Sequence, residues 1–155
     1  ELARASADDE RRHARVVQAL ALRFGAQPAA VRRGAAAPRS LSALAADNAV
    51  EGCAREAFGA LVAAHQAAAA VDPFVRAAFA GIARDEARHA LFSFALDDWA
   101  RERVSGNARR RAEELRREEL RQMRAELTEP SVDRRFVLGL PDATRAAEMV
   151  ALLAA

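Results

Sequence analysis

DDERRHA (Asp8–Ala14) and RDEARHA (Arg84–Ala90) both contain Asp-Glu-x-Arg-His-Ala, and this repeated hexapeptide decides how the fold is interpreted. Both copies lie in segments whose apolar residues recur every three or four positions, as on one face of a helix. A carboxylate on a buried face costs several kcal/mol unless it is paired or bound to a cation, so two copies require a shared compensation. The two stripes are Glu10, His13, Val17, Leu20 and Phe24, and Val75, Phe79, Ile82, Glu86, His89 and Ser93.

The rest of the chain also predicts helices. Ala, Leu, Arg and Glu dominate, and no segment shows sustained strand alternation, so we expect an all-α fold. Asp72 and Pro73 are typical of an N-cap and a first helical position, so a tight turn should make the flanking helices antiparallel. The expected helices are about Leu2–Phe24, Ser40–Ala70, Pro73–Val104, Ala108–Leu127 and a last one opening at Pro141.

The link Gly25–Ser40 carries two prolines and two glycines, which predicts a long surface connection that allows a crossover between the first two helices. We expect residues 1–127 to form one antiparallel helical bundle. Residues 128–155 are expected to be a short connector, bracketed by Pro130, Gly139 and Pro141, and a short helix packed on the bundle.

The composition of the chain argues against several classes of function. A chain of 155 residues that is 52% hydrophobic is long enough for a core. No apolar run is long enough to cross a bilayer, and 24 basic against 22 acidic residues argue against a nucleic-acid partner. One cysteine, Cys53, excludes an internal disulfide framework and a cysteine-rich metal site. Nothing resembles a signal peptide, so we expect the cytoplasm.

Glu-x-x-His is a suitable metal-binding unit because residues three apart project from one face of a helix. The carboxylate can bridge two ions while the imidazole binds one of them. Mixed oxygen and nitrogen ligands suit iron or manganese, with zinc as the alternative. One such motif in a helix-rich chain is more often a set of surface ion pairs with neighbouring arginines. Two copies on apolar stripes favour metal.

The second expected helix offers two further carboxylates, Glu51 and Glu56. Glu51 is spaced for a pair with Arg55, four residues on. Glu56 is level with Glu86 if the two helices fold back about Val71, which favours Glu56 as the ligand. Glu56 also shares a stripe of small residues: Ala45, Ala49, Gly52, Cys53, Ala60, Ala63 and Ala67.

These residues resemble the ferritin-like di-iron carboxylate superfamily, whose chain order is Glu, Glu-x-x-His, Glu, Glu-x-x-His. Glu10–His13 is similar to the first Glu-x-x-His, Glu56 to the following Glu, and Glu86–His89 to the last motif. The resemblance covers about Leu2 to Trp99, and GIARDEARHALF is similar to the closing motif of rubrerythrin-like and tRNA-hydroxylase-like proteins.

The resemblance implies a ferritin-like bundle that binds two Fe ions, or one Fe and one Mn. Glu10, His13, Glu56, Glu86 and His89 are the implied ligands, and no catalytic side chain beyond them is assigned. The implied activity is an oxidoreductase that activates dioxygen or peroxide. The chain has no tyrosine for a tyrosyl radical and too few cysteines for a rubredoxin-type relay, so electrons would come from an external donor.

One family position has no counterpart, since the first single Glu belongs on a helix preceding Glu10. The chain begins with Glu rather than Met, so we expect a preceding helix that lies outside this sequence. The alternatives are a second subunit in a homodimer, or Glu119. Two rival functions follow: a metal-free helical interaction module that retains the fold, and an iron-binding or storage protein.

Overall fold

A computed structural model describes residues 1–29 and 38–154, and within these ranges every regular element is helical. The all-α prediction is therefore confirmed for the described part of the chain. A π-helical turn, Glu51–Glu56, joins the second and third α-helices without a break. The α-helices are α1 (Leu2–Arg23), α2 (Leu41–Val50), α3 (Ala57–Ala69), α4 (Pro73–Arg101), α5 (Gly106–Glu126), α6 (Val132–Leu138) and α7 (Ala143–Ala154).

The chain divides into two units, Glu1–Arg39 and Ser40–Ala155. The first unit holds α1 and nearly all of the predicted surface connection, of which residues 30–37 lie outside the described residues. In the second unit, α3 packs along α4, α2 packs on α5 and α4, and α7 packs on α5 and α3. None of the described helices has both the length and the apolar character that spanning a membrane requires.

Side-chain caps fix where the helices of the second unit begin. The Asp72 carboxylate accepts hydrogen bonds from the backbone N–H groups of Phe74 (2.8 Å) and Val75 (3.1 Å), as the sequence predicts. The Ser105 hydroxyl accepts from the N–H of Ala108 at 3.2 Å. Because of this cap, α5 begins at Gly106 and not at the expected Ala108.

The expected connector between α5 and α7 contains an additional helix, α6. Its last carbonyl groups accept hydrogen bonds from α3 and from the turn that follows α3. Val71 N–H donates to Phe136 O at 2.9 Å, and Gln66 Nε2 donates to Leu138 O at 2.9 Å. Gly139 ends α6 with a φ of +63°, and a Cβ there would collide with the backbone of Ala70. A seven-residue helix is marginal by itself, so these tertiary bonds hold it, and local sequence does not reveal it.

Small side chains let the long helical stretch α2–α3 approach its neighbours closely. On one side it packs along α4. On the other side Ala54 joins a cluster with α5 and α7, made of Ala54, Leu120 and Val150 and flanked by Phe58, Met123 and Leu153. The buried small residues of the stretch are Ala45, Ala49, Gly52, Cys53, Ala54, Ala57 and Ala63.

The π-helical turn touches α4 most closely at Gly52. A Cβ on Gly52 would lie 2.5 Å from Ser93 Oγ and 2.7 Å from Ser93 Cβ, so only glycine fits there. Gly52 is therefore level with Ser93. Because the helices are antiparallel, Glu56, one turn further on, is level with about His89, rather than with Glu86 as the sequence predicts.

Gly52→Ala should lower the free energy of unfolding by about 1–3 kcal/mol, since the new methyl group overpacks the contact with Ser93. Chemical denaturation measures this change. Gly59→Ala is the matched control, because a Cβ on Gly59 meets nothing within 4 Å. The control should raise the stability by about 1 kcal/mol or less through helix propensity. Equal stabilisation by both substitutions would show that the close contact is wrong.

Candidate functional site

In the first unit, the repeated hexapeptide forms two contacts along α1. His13 Nδ1 lies 3.5 Å from Glu10 Oε1, one turn back on the same face. Arg12 Nη2 donates to Asp9 Oδ1 at 2.7 Å. The His13 side chain is 8% exposed and that of Asp9 13%, whereas Arg12 projects into solvent.

In the second unit, the other copy forms the same two contacts along α4. His89 Nδ1 lies 3.8 Å from Glu86 Oε2, and Arg88 Nη2 donates to Asp85 Oδ1 at 2.7 Å. The exposed fractions of histidine and aspartate also repeat, with 5% for the His89 side chain and 13% for Asp85. Both helices therefore place histidine inward, aspartate partly covered and arginine outward. The glutamates differ, since the Glu86 side chain is 15% exposed and that of Glu10 is 56% exposed.

The buried stripe of α4 is polar in its middle part. Between the apolar residues Val75 and Ile82 on one side and Ala100 on the other, its buried residues are His89, Ser93 and Asp97. The Asp97 carboxylate accepts from Arg101 Nε at 2.7 Å, and this hydrogen bond raises the pKa of the Arg101 guanidinium. A buried carboxylate thus has its compensating cation one turn away, so this part of the stripe is already neutralised.

Glu56 stands at the end of the π-helical turn, on the side that faces α4. The Ser93 hydroxyl donates to Glu56 Oε2 at 3.3 Å, which places this carboxylate one turn from His89 along the stripe. The structure thus brings Glu56 beside the Glu86–His89 face. The Glu56 side chain remains largely exposed.

The two alternative carboxylates, Glu51 and Glu119, lie elsewhere. Both bind Arg55: Glu51 Oε1 accepts from Arg55 Nη1 at 3.1 Å, and Glu119 Oε1 accepts from Arg55 Nε at 2.6 Å. The hydrogen bond to Glu119 is the main reason why the pKa of Arg55 is raised. The ion pair between Arg55 and Glu119 joins the π-helical turn to α5. Both alternative carboxylates therefore lie on the side of the long α2–α3 stretch that faces α5, not on the side that faces α4.

Among the described residues of the second unit, no three carboxylate, imidazole or thiol groups lie within 4.8 Å of one another. Glu86 and His89 form a pair, and Glu56 reaches the same face through Ser93. These three residues supply two carboxylates and one imidazole along one helix–helix contact.

Asn48, Cys53 and Ser93 form a buried polar group that the sequence alone does not reveal. Asn48 Nδ2 donates to the Ser93 carbonyl at 2.9 Å, and Cys53 Sγ lies 3.5 Å from the same oxygen. Burial raises the pKa of the Cys53 thiol from 9.0 to about 11, with a smaller contribution from the charge of Asp97. The thiol therefore stays protonated at neutral pH and can donate a hydrogen bond. Sequence predicts Cys53 only as a small core residue.

Comparisons with known proteins leave the chain without an assigned family. No protein-family model, curated protein or solved structure matches it.

The raised pKa of Cys53 predicts a loss of stability in alkali. Its contribution is fully present below pH 9, where the thiol is protonated folded and unfolded, and is lost as pH rises to about 11. The expected loss is about 1–3 kcal/mol. The chain has no lysine or tyrosine, so few other groups titrate in this window.

Denaturation of wild type and Cys53→Ala at pH 8 and pH 11, under reducing conditions, measures the effect. The variant should show a smaller loss of stability between the two pH values. Identical losses in both proteins would contradict the assignment of a buried, protonated thiol.

Proposed function

We propose that this protein is a ferritin-like metal-binding protein that holds two iron ions, or one iron and one manganese. Glu10, His13, Glu56, Glu86 and His89 are its proposed ligands. The observation that carries the proposal is the pairing of a buried histidine with a glutamate in both Glu-x-x-His copies. Each copy presents a buried imidazole 3.5 or 3.8 Å from a carboxylate of the same helix.

The donor set fits the proposed ions. The five proposed ligands, two Glu–His pairs and one further carboxylate, supply only oxygen and nitrogen atoms, which suits iron and manganese. The protonated Cys53 does not compete as a ligand, because metals bind the thiolate form. Asp97, the other buried acid of the α4 stripe, is paired with Arg101 and stays outside the set.

The surrounding residues would orient the ligands. Ser93 donates to Glu56 Oε2, and Asn48 and Cys53 hold Ser93 by its carbonyl group. When bound, such ions supply redox chemistry with dioxygen or peroxide, which is the activity that we propose. The proposed substrate is iron itself, peroxide or an organic molecule, since a fold does not determine its chemistry. Electrons would come from an external donor.

The alternative is a metal-free helical interaction module. One observation favours it: two of the proposed ligands already have protein partners, since Glu56 accepts from Ser93 and Glu86 lies beside His89. Such contacts give each group partial compensation without a cation. Metal content distinguishes the two functions directly.

The test is metal content by plasma mass spectrometry after expression with iron and manganese. Wild type should carry about two ions per chain. Glu86→Ala/His89→Ala and Glu10→Ala/His13→Ala should each lose most of this metal, because the proposal draws ligands from both copies. Oxygen and peroxide consumption is then assayed on the loaded protein.

Glu56→Gln and Glu51→Gln form the matched pair, since both residues belong to the π-helical turn. Glu56→Gln should reduce the bound metal, whereas Glu51→Gln should leave it unchanged. Circular dichroism shows whether each variant remains folded. Absence of iron and manganese from wild type, or equal metal in wild type and both double variants, would refute the metal centre and favour the interaction module.

A further inference from the structure

The outer face of α4 carries an exposed stripe with both apolar and charged residues. Leu91 is 71% exposed and Trp99 44%, although both are large apolar side chains. Ala87 and Ala95 alternate with them in the same stripe and are also exposed, as are Arg88 and Asp98 at its edges. At 100° per residue, this stripe is on the side of α4 opposite to His89 and Ser93. It is therefore separate from the candidate metal ligands.

The stripe is complementary to a second, antiparallel copy of itself. When the two copies are centred on residue 93, Leu91 of one lies opposite Ala95 of the other, and Trp99 lies opposite Ala87. Each large side chain then meets a small one, which is the arrangement that lets two helices interdigitate.

Opposite charges also face each other in this antiparallel alignment. Arg88 comes opposite Asp98, and Arg84 comes opposite Glu102, the residue that caps the end of α4. Both members of each pair are exposed. All four pairs, two matched in size and two in charge, are centred on residue 93. They extend over about 27 Å of helix, from residue 84 to residue 102.

From this match we infer that α4 forms an antiparallel, two-fold symmetric contact with α4 of a second copy of this chain. Two-fold symmetry requires each patch to be complementary to itself, so that every pair occurs twice. Leu91 packs on Ala95 of the partner, Trp99 on Ala87, and Arg88 binds Asp98. A different partner protein would not require the size pattern and the charge pattern to share one centre of reversal.

The contacts within the chain are compatible with this interface. Arg88 binds Asp85 of its own helix, yet its side chain stays 60% exposed, and a guanidinium has donors for a second carboxylate. Arg103 lies 4.7 Å from the centre of the Trp99 ring and supports it from the flank of the helix. Burying Leu91 and Trp99 removes their apolar surface from water, and the ion pairs fix the antiparallel register.

The inference is tested by exchanging the charges of the proposed pairs. Sedimentation equilibrium of the full chain over a range of concentrations measures the association of each variant. Wild type should form dimers reversibly. Arg88→Asp and Asp98→Arg should each weaken the dimer about tenfold, because each replaces two attractive pairs by two like-charge contacts. The double variant Arg88→Asp/Asp98→Arg should regain wild-type association, since the exchanged charges attract again across the interface.

Arg109→Asp on α5 is the control for Arg88→Asp, because it changes the net charge by the same amount at an exposed position outside the stripe. It should leave association unchanged. The inference is overturned if wild type is monomeric at every concentration, if the single reversals do not weaken the dimer, or if the double variant stays dissociated. Recovery in the double variant also excludes misfolding as the cause of the single effects. These outcomes do not depend on whether metal is bound.

Discussion

Ser93 of α4 makes polar contacts with Asn48, Cys53 and Glu56, and these contacts depend on how closely the π-helical turn approaches it. Gly52 permits that approach because any Cβ would overlap the serine side chain. At this distance Asn48 and Cys53 both reach the Ser93 carbonyl, and the hydroxyl reaches Glu56. One steric constraint thus aligns a carboxylate from the turn with the imidazole of His89, one turn away on α4.

The π-helical turn also decides which carboxylates face which neighbour. An inserted residue rotates the following chain by about 100° relative to a continuous α-helix. Glu51, at the start of the turn, joins Arg55 and Glu119 of α5, whereas Glu56, at its end, faces α4. The two acids therefore contribute to opposite sides of one long helix. Such turns occur often at functional sites, which agrees with the proposed role of Glu56.

Helix α4 has two different faces, and both carry charge for a physical reason. Its inner face holds His89, Ser93 and Asp97 in low exposure, where each polar group requires a partner or a cation. Its outer face combines Leu91 and Trp99 with charged residues, and their order makes the face complementary to an antiparallel copy of itself. Core packing explains neither face by itself. The inner face accounts for the proposed metal chemistry, and the outer face for the inferred self-association.

The sequence by itself determined the helical fold class, the Asp72 cap and the placement of His13 and His89 on buried faces, because these follow from periodicity and local hydrogen bonds. Only the tertiary structure decided the π-helical turn, helix α6 and the level of Glu56 relative to α4. A single extra residue in a helix leaves no local signature, yet it shifts every later side chain by one position. Helix α6 depends on hydrogen bonds that Val71 and Gln66, far away along the chain, donate to its carbonyl groups. Periodicity describes one helix at a time, whereas register between helices arises from close contacts such as that of Gly52 with Ser93.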